Sequence, residues 1–119
     1  FVGPNAQIRH GAYIRENSWI CAGAVVGHCS EVKHSLLLPG AKAPHFNYVG
    51  DSIVGKDSNL GSGTKIANLR LDKKIIEVTH QGKKISTDRR KLGAIIGDNV
   101  NTGINASVNA GTILGNYVK

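Results

Sequence analysis

The chain has 119 residues, 15 glycines, two cysteines and a formal charge of +7. Its length bounds it to one domain, residues 1–119, and its glycine-rich, aromatic-poor composition fits a backbone that turns often rather than a helical bundle. It has no run of about 18 apolar residues and no charged-then-apolar leader, which argues against a membrane-spanning helix and a secretory signal.

In chain order, Val2, Ile8, Ile14, Ile20, Val26 and Val32 recur every six residues, and the small residues Ala6, Ala12, Ser18, Ala24 and Ser30 follow the first five at a fixed offset. Helices need spacings of three and four, and amphipathic strands a spacing of two. Period six with β-branched and small residues predicts very short strands joined by tight turns, aliphatic side chains inward, with Gly and Asn in the turns. Cys21 and Cys29 fall within this repeat, lack metal-pair spacing, and read as reduced thiols of a cytoplasmic protein.

The period is interrupted at about 38–51 and returns at Val54, Leu60 and Ile66. It breaks again over about 70–93 and resumes at Ile96, Thr102, Val108 and Leu114. Both interruptions are expected to be loops extruded from a rigid scaffold. The second holds two β-rich runs, Ile75–His80 and Lys84–Thr87, around the turn pair Gln81-Gly82, which predicts a hairpin. Residues 71–92 carry seven cations, including Lys73, Lys74, Lys83 and Lys84, against three acids. No aromatics are interleaved for base stacking, so nucleic acid is not the expected partner.

Arg15 and Lys33 lie eighteen residues apart, each directly after an inward aliphatic residue. If three hexads make one coil, they stack on one face about 4.8 Å apart, and an anion such as a phosphate is expected to offset their repulsion. His45, beside Pro44 in the first interruption, is a candidate general base, though loop histidines are mostly only solvated. His10, His28 and His34 are spaced to stack as well. They occupy turn positions without a carboxylate pattern to support a metal, so no metal is expected.

The hexads resemble the hexapeptide-repeat family, which implies an all-β, left-handed parallel β-helix and a homotrimer with sites between neighbouring prisms. The runs Glu31-Val32-Lys33, Lys42 to Asp51, Asn59 to Thr64 and Ala67-Asn68 resemble, more narrowly, the acetyltransferase domain of bifunctional glucosamine-1-phosphate acetyltransferase/uridylyltransferases. Arg89 to Ala94 and the long basic loop bring the sequence closer to the archaeal sugar-1-phosphate nucleotidylyltransferases with an acetyltransferase tail.

That resemblance implies acetyl transfer from acetyl-CoA to the amine of glucosamine-1-phosphate, or of galactosamine-1-phosphate, in UDP-N-acetyl-amino-sugar synthesis. Arg15 and Lys33 match positions that hold the sugar phosphate, and His45 matches the base that deprotonates the amine. Tyr48 and Asn59 match substrate-binding residues, Asn68 a residue near the amine and acetyl group, and Lys74 a loop lysine. The Ser62 backbone amide aligns with a candidate stabiliser of the thioester oxyanion. Leu69 stands where the bacterial family has tyrosine, and the loop is longer. Starting at Phe1 within a repeat, the sequence reads as a piece of a longer chain with a nucleotidylyltransferase domain upstream and coenzyme A contacts beyond Lys119. The rival reading is a non-catalytic β-helix that trimerises and regulates such an upstream domain.

Overall fold

The computed structural model describes residues 1–119 as an all-β chain without helices. The first coil holds β1 (Gln7–Ile8), β2 (Tyr13–Ile14) and β3 (Trp19–Ile20). The second holds β4 (Val25–His28), β5 (Glu31–Lys33) and β6 (Leu36–Leu37), and the third β7 (Lys42–His45), β8 (Tyr48–Gly50) and β9 (Ile53–Val54). After β10 (Lys65–Ile66) an arm carries β11 (Glu77–His80) and β12 (Lys83–Ser86). The solenoid resumes with β13 (Ile95–Ile96), β14 (Ser107–Val108) and β15 (Ile113–Leu114).

These strands form a parallel β-solenoid with three faces. The first face is β1-β4-β7, extended by bridges from Lys42 to Asn59 and from Asn59 to Asn101. The second face runs β2-β5-β8-β10-β14, and the third β3-β6-β9-β13-β15 with Val2 bridged to Ile20. One aliphatic residue per strand points inward, and the buried stack includes Ile20, Val26, Val32, Leu37, Val49, Val54, Leu60, Ile66 and Ile96. This is the core that the six-residue period predicts.

Corner residues repeatedly take left-handed backbone, among them Asn17 (φ 56°), His34 (φ 50°) and Asp51 (φ 49°) between the second and third faces. Cys29 (φ 52°) and Phe46 (φ 53°) do so between the first and second. A bulky residue such as Phe46 pays in strain for that conformation, which persists only because the stacked strands on either side over-determine it.

The first interruption is not an extruded loop. Residues 38–51 stay in the coil, with β7 paired to β4 and β8 paired to β5. The repeat shortens by one residue at two corners, after Lys33 and after Gly50. Ile14 pairs with Val32 at a step of 18, whereas Ile20 pairs with Leu37 and Val32 with Val49 at steps of 17. The phase slips twice and the six-residue spacing then resumes two residues out of step, which imitates a loop in the sequence. The second interruption is a true arm. β11 and β12 pair antiparallel around Gln81 (φ 49°) and Gly82 (φ 74°), the two positive φ angles of a type I′ hairpin turn. Its base is anchored by buried Ile76, whose carbonyl accepts from Thr87 Oγ1 at 2.6 Å.

Candidate active site

Stacking the coils brings five polar side chains together at the edge where the second face turns into the third. Asp51 is at their centre. Its Oδ2 accepts from Lys33 Nζ at 3.1 Å and from Asn68 Nδ2 at 2.7 Å, and Asn68 Nδ2 also donates to Tyr48 Oη at 3.1 Å. His34 Nδ1 lies 3.5 Å from Asp51 Oδ1. The Lys33 and Asp51 side chains are only 10% and 9% exposed, so each charge depends on its partner. Gly50 makes the arrangement possible, since a Cβ there would sit 2.6 Å from both Tyr48 Oη and Asn68 Nδ2.

Arg15 lies one coil before Lys33, in register with it through the Ile14–Val32 pair. Its guanidinium donates to Glu31 at 2.9 Å and lies 3.5 Å from Glu16. The Glu31 hydrogen bond holds the Arg15 pKa above its ordinary value. Glu16 is lowered, first by its own backbone N–H, with Arg15 adding to the effect. The stacking of Arg15 over Lys33 is as expected from their spacing. The need for an external anion is not, because Glu31, Glu16 and Asp51 already offset both cations.

His45 ends β7 at the corner between the first and second faces, the opposite edge of the second face from Asp51. Its side chain is exposed, and its backbone is fixed by Asn47 Oδ1 and by Gly63 N–H, each at 3.0 Å. His10 and His28 stack with ring centroids 5.8 Å apart, and His28 Nδ1 is 2.7 Å from the His10 carbonyl. The third histidine in register is His45, because the step from His28 is 17; His34 belongs to the other corner. No cluster of three or more His, Cys, Asp or Glu side chains has a metal-holding arrangement.

The remaining candidates are dispersed. Ser62 lies one coil after His45, and its N–H makes no hydrogen bond within the chain. Asn59 sits at the far end of the first-face strand, beside Lys42. Lys74 is exposed on the arm, with its N–H donating to Asp72 Oδ1 at 3.1 Å. Arg70 grips the same carboxylate at 2.8 and 2.6 Å and, with the Lys74 N–H, holds Asp72 well below the usual carboxylate range. Three successive coils thus bring Lys33, Tyr48 and Asn68 to one edge of the second face and leave His45 at the other.

Asp51 and Glu31 were given no role in the sequence reading, and His34 was weighed there only as a metal ligand. Asp51 was findable, since it follows Lys33 by the same eighteen residues that separate Arg15 from Lys33. The third face adds a column of outward apolar residues, Trp19, Leu36, Ile53, Ile95 and Ile113, with no charged residue in its strands. Arg89, Lys91 and Leu92 of the returning arm wall a cleft of about 530 Å³ over this column.

A family model described as the GMPPB C-terminal domain matches residues 1–118. The chain is 47% identical over 117 residues to a bifunctional sugar-1-phosphate nucleotidylyltransferase/acetyltransferase of Sulfurisphaera tokodaii, covering 98% of this chain and 28% of that protein. It is 44% identical over 115 residues to the bifunctional protein GlmU of Methanococcus vannielii, covering 97% and 26%. It is also 44% identical over 113 residues to that of Methanocaldococcus jannaschii, covering 95% and 26%. The chain spans about a quarter of the length of these curated relatives. The match over nearly every residue shows that the chain belongs to the GMPPB C-terminal domain family.

Proposed function

We propose that this solenoid is an N-acetyltransferase domain that moves acetyl from acetyl-CoA to the amine of an amino-sugar 1-phosphate, glucosamine-1-phosphate or galactosamine-1-phosphate. The parent chain would also carry sugar-1-phosphate nucleotidylyl transfer, serving nucleotide-sugar synthesis in the cytoplasm. The relatives' names pair these two activities. The observation that carries the reading is the buried Lys33–Asp51–Asn68–Tyr48 network on the second face. A purely structural solenoid gains little stability from a buried ion pair, which packed aliphatic residues can often replace without loss.

In this reading Arg15 and Lys33 attract the sugar phosphate, which competes for them with the carboxylates that already face them. Tyr48 and Asn68 hold the sugar near its amine, and Asn59 contacts the sugar from a neighbouring edge. His45 takes a proton from the amine as its nitrogen attacks the thioester carbonyl carbon. The negative charge that develops on the carbonyl oxygen is met by the free N–H of Ser62. The C–S bond then breaks, the amide is complete, and the departing thiolate takes up a proton.

His45 and Asn68 lie at opposite edges of one face, and the strands of the third face present apolar side chains and no charge. Both features support a homotrimer of parallel prisms whose sites lie between neighbours, with Lys74 reaching the next prism's site. The rival, a trimerising and regulatory solenoid without catalysis, makes use of the third face alone. Mass spectrometry of full-length protein incubated with acetyl-CoA and each amino-sugar phosphate separates them. An acetylated sugar supports the enzyme, and unchanged sugar in every incubation supports the scaffold.

A further inference from the structure

The geometry points to Asp51 as a positioning residue that sets the hydrogen-bond polarity of the site, an inference that rests on the acetyl-transfer reading above. Its carboxylate faces three side chains: Lys33 Nζ at 3.1 and 3.5 Å, Asn68 Nδ2 at 2.7 Å and His34 Nδ1 at 3.5 Å. Lys33 and His34 come from the second coil and Asn68 from the fourth, so the anion of the third coil ties the stack together across its layers.

The consequence lies in what Asn68 can offer. Its amide has two hydrogens, and both are committed, one to Asp51 Oδ2 and one to Tyr48 Oη. The flipped amide would set Oδ1 against the carboxylate at the same short distance, two acceptors facing each other with no proton between them. The ion pair therefore locks Asn68 with Oδ1 turned away from Asp51, as an acceptor. Tyr48 Oη, having accepted from Asn68, keeps its own proton to donate. A substrate meets one acceptor and one donor in fixed places, Asn68 Oδ1 for an amine N–H and Tyr48 O–H for an oxygen. An N–H held on Asn68 Oδ1 orients the nitrogen lone pair. Asp51 does this from a left-handed corner (φ 49°) where the coil has lost a residue.

The test uses the full-length parent chain and compares kcat and KM for wild type, Asp51→Asn, Asn68→Asp and the exchange variant carrying both. Asp51→Asn removes the lock, and its kcat is expected to fall by about ten- to a hundredfold with the KM for acetyl-CoA within about twofold. Asn68→Asp puts two carboxylates in contact and is expected to lose at least as much. The exchange variant restores one carboxylate held by one amide, with an acceptor oxygen still turned outward, but its carboxylate takes the Tyr48 proton, so the recovery is partial. It is expected to recover about tenfold over either single variant, measured per folded protein. A folded Asp51→Asn protein with kcat within about threefold of wild type overturns the assignment. If Asp51→Asn fails to fold, the exchange variant against Asn68→Asp decides, and equal kcat overturns it. Wild-type protein that acetylates no amino-sugar phosphate would overturn the acetyl-transfer reading itself, and the role of Asp51 with it.

Discussion

The phenol of Tyr48 lies across Gly50, so close that a methyl group on Gly50 would come 2.6 Å from Tyr48 Oη. Gly50→Ala therefore displaces Tyr48 and, through the hydrogen bond, Asn68. The expected result is a loss in kcat of about tenfold or more, because small misplacements are costly in an oriented site. The accompanying loss of stability is about 1–3 kcal/mol, as for other overpacked positions. Steady-state kinetics beside urea unfolding checks both, and an unchanged kcat would show that Tyr48 is not held where substrate needs it.

Lys33 and Arg15 carry the same sign but differ in their dependence on a partner. Lys33→Ala leaves the Asp51 carboxylate buried without its cation and is expected to cost about 3 kcal/mol or more. Arg15, with its side chain 31% exposed, is expected to cost less than about 1 kcal/mol when replaced by Ala. Both variants should raise the KM for the sugar phosphate more than that for acetyl-CoA. Denaturant midpoints and paired substrate titrations test this, and a loss confined to acetyl-CoA would place the phosphate elsewhere.

On the arm, Asp72 accepts from Arg70 and from the Lys74 N–H, and its pKa lies well below the usual range. A carboxyl depressed in this way stabilises its turn above its unfolded pKa, about 3.9. That contribution fades only as the pH falls through the lower folded value. The Lys74 amide is therefore expected to resist hydrogen exchange at pH 5–7 and to lose that protection in Asp72→Ala. Lys74→Ala should lower turnover or raise the substrate requirement at low and high salt alike, while Lys83→Ala has little effect. Equal, fully salt-screened effects of both would indicate only a diffuse basic surface.

Assembly is checked by light scattering of the full-length protein. A trimer mass is expected, given the apolar strands of the third face and the candidate residues at opposite edges of the second. A monomer mass at every concentration would contradict the shared site.

Most of the scaffold was legible because one aliphatic residue per six has a direct physical meaning, the inward side chain of a short strand. The hairpin was legible for a similar reason, since Gln81-Gly82 sits between two β-rich runs. The first interruption misled because losing one residue at a corner shifts every later inward position by one. Val32 to Leu37 and Val49 to Val54 are both steps of five, so Ala43 and Val49 escape the six-residue count although both are buried. The stacking of Arg15 and Lys33 was readable from spacing, but the carboxylates that offset them were not sought at the same spacing. His45 could be picked out, but its distance from Asn68 could not, because that depends on which corner each residue occupies.

The most direct measurement is acetyl-CoA-dependent thiol release by the full-length protein and its His45→Ala variant, with glucosamine-1-phosphate and galactosamine-1-phosphate in turn. His45 is exposed at a corner and makes its hydrogen bonds through its backbone, so the variant should keep the wild-type melting temperature. The account predicts thiol release by the wild type with at least one of the sugars, and a rate lower by about 10²–10⁴ in the variant. Thiol release at the wild-type rate from folded His45→Ala protein, or none from the wild type with either sugar, would contradict it.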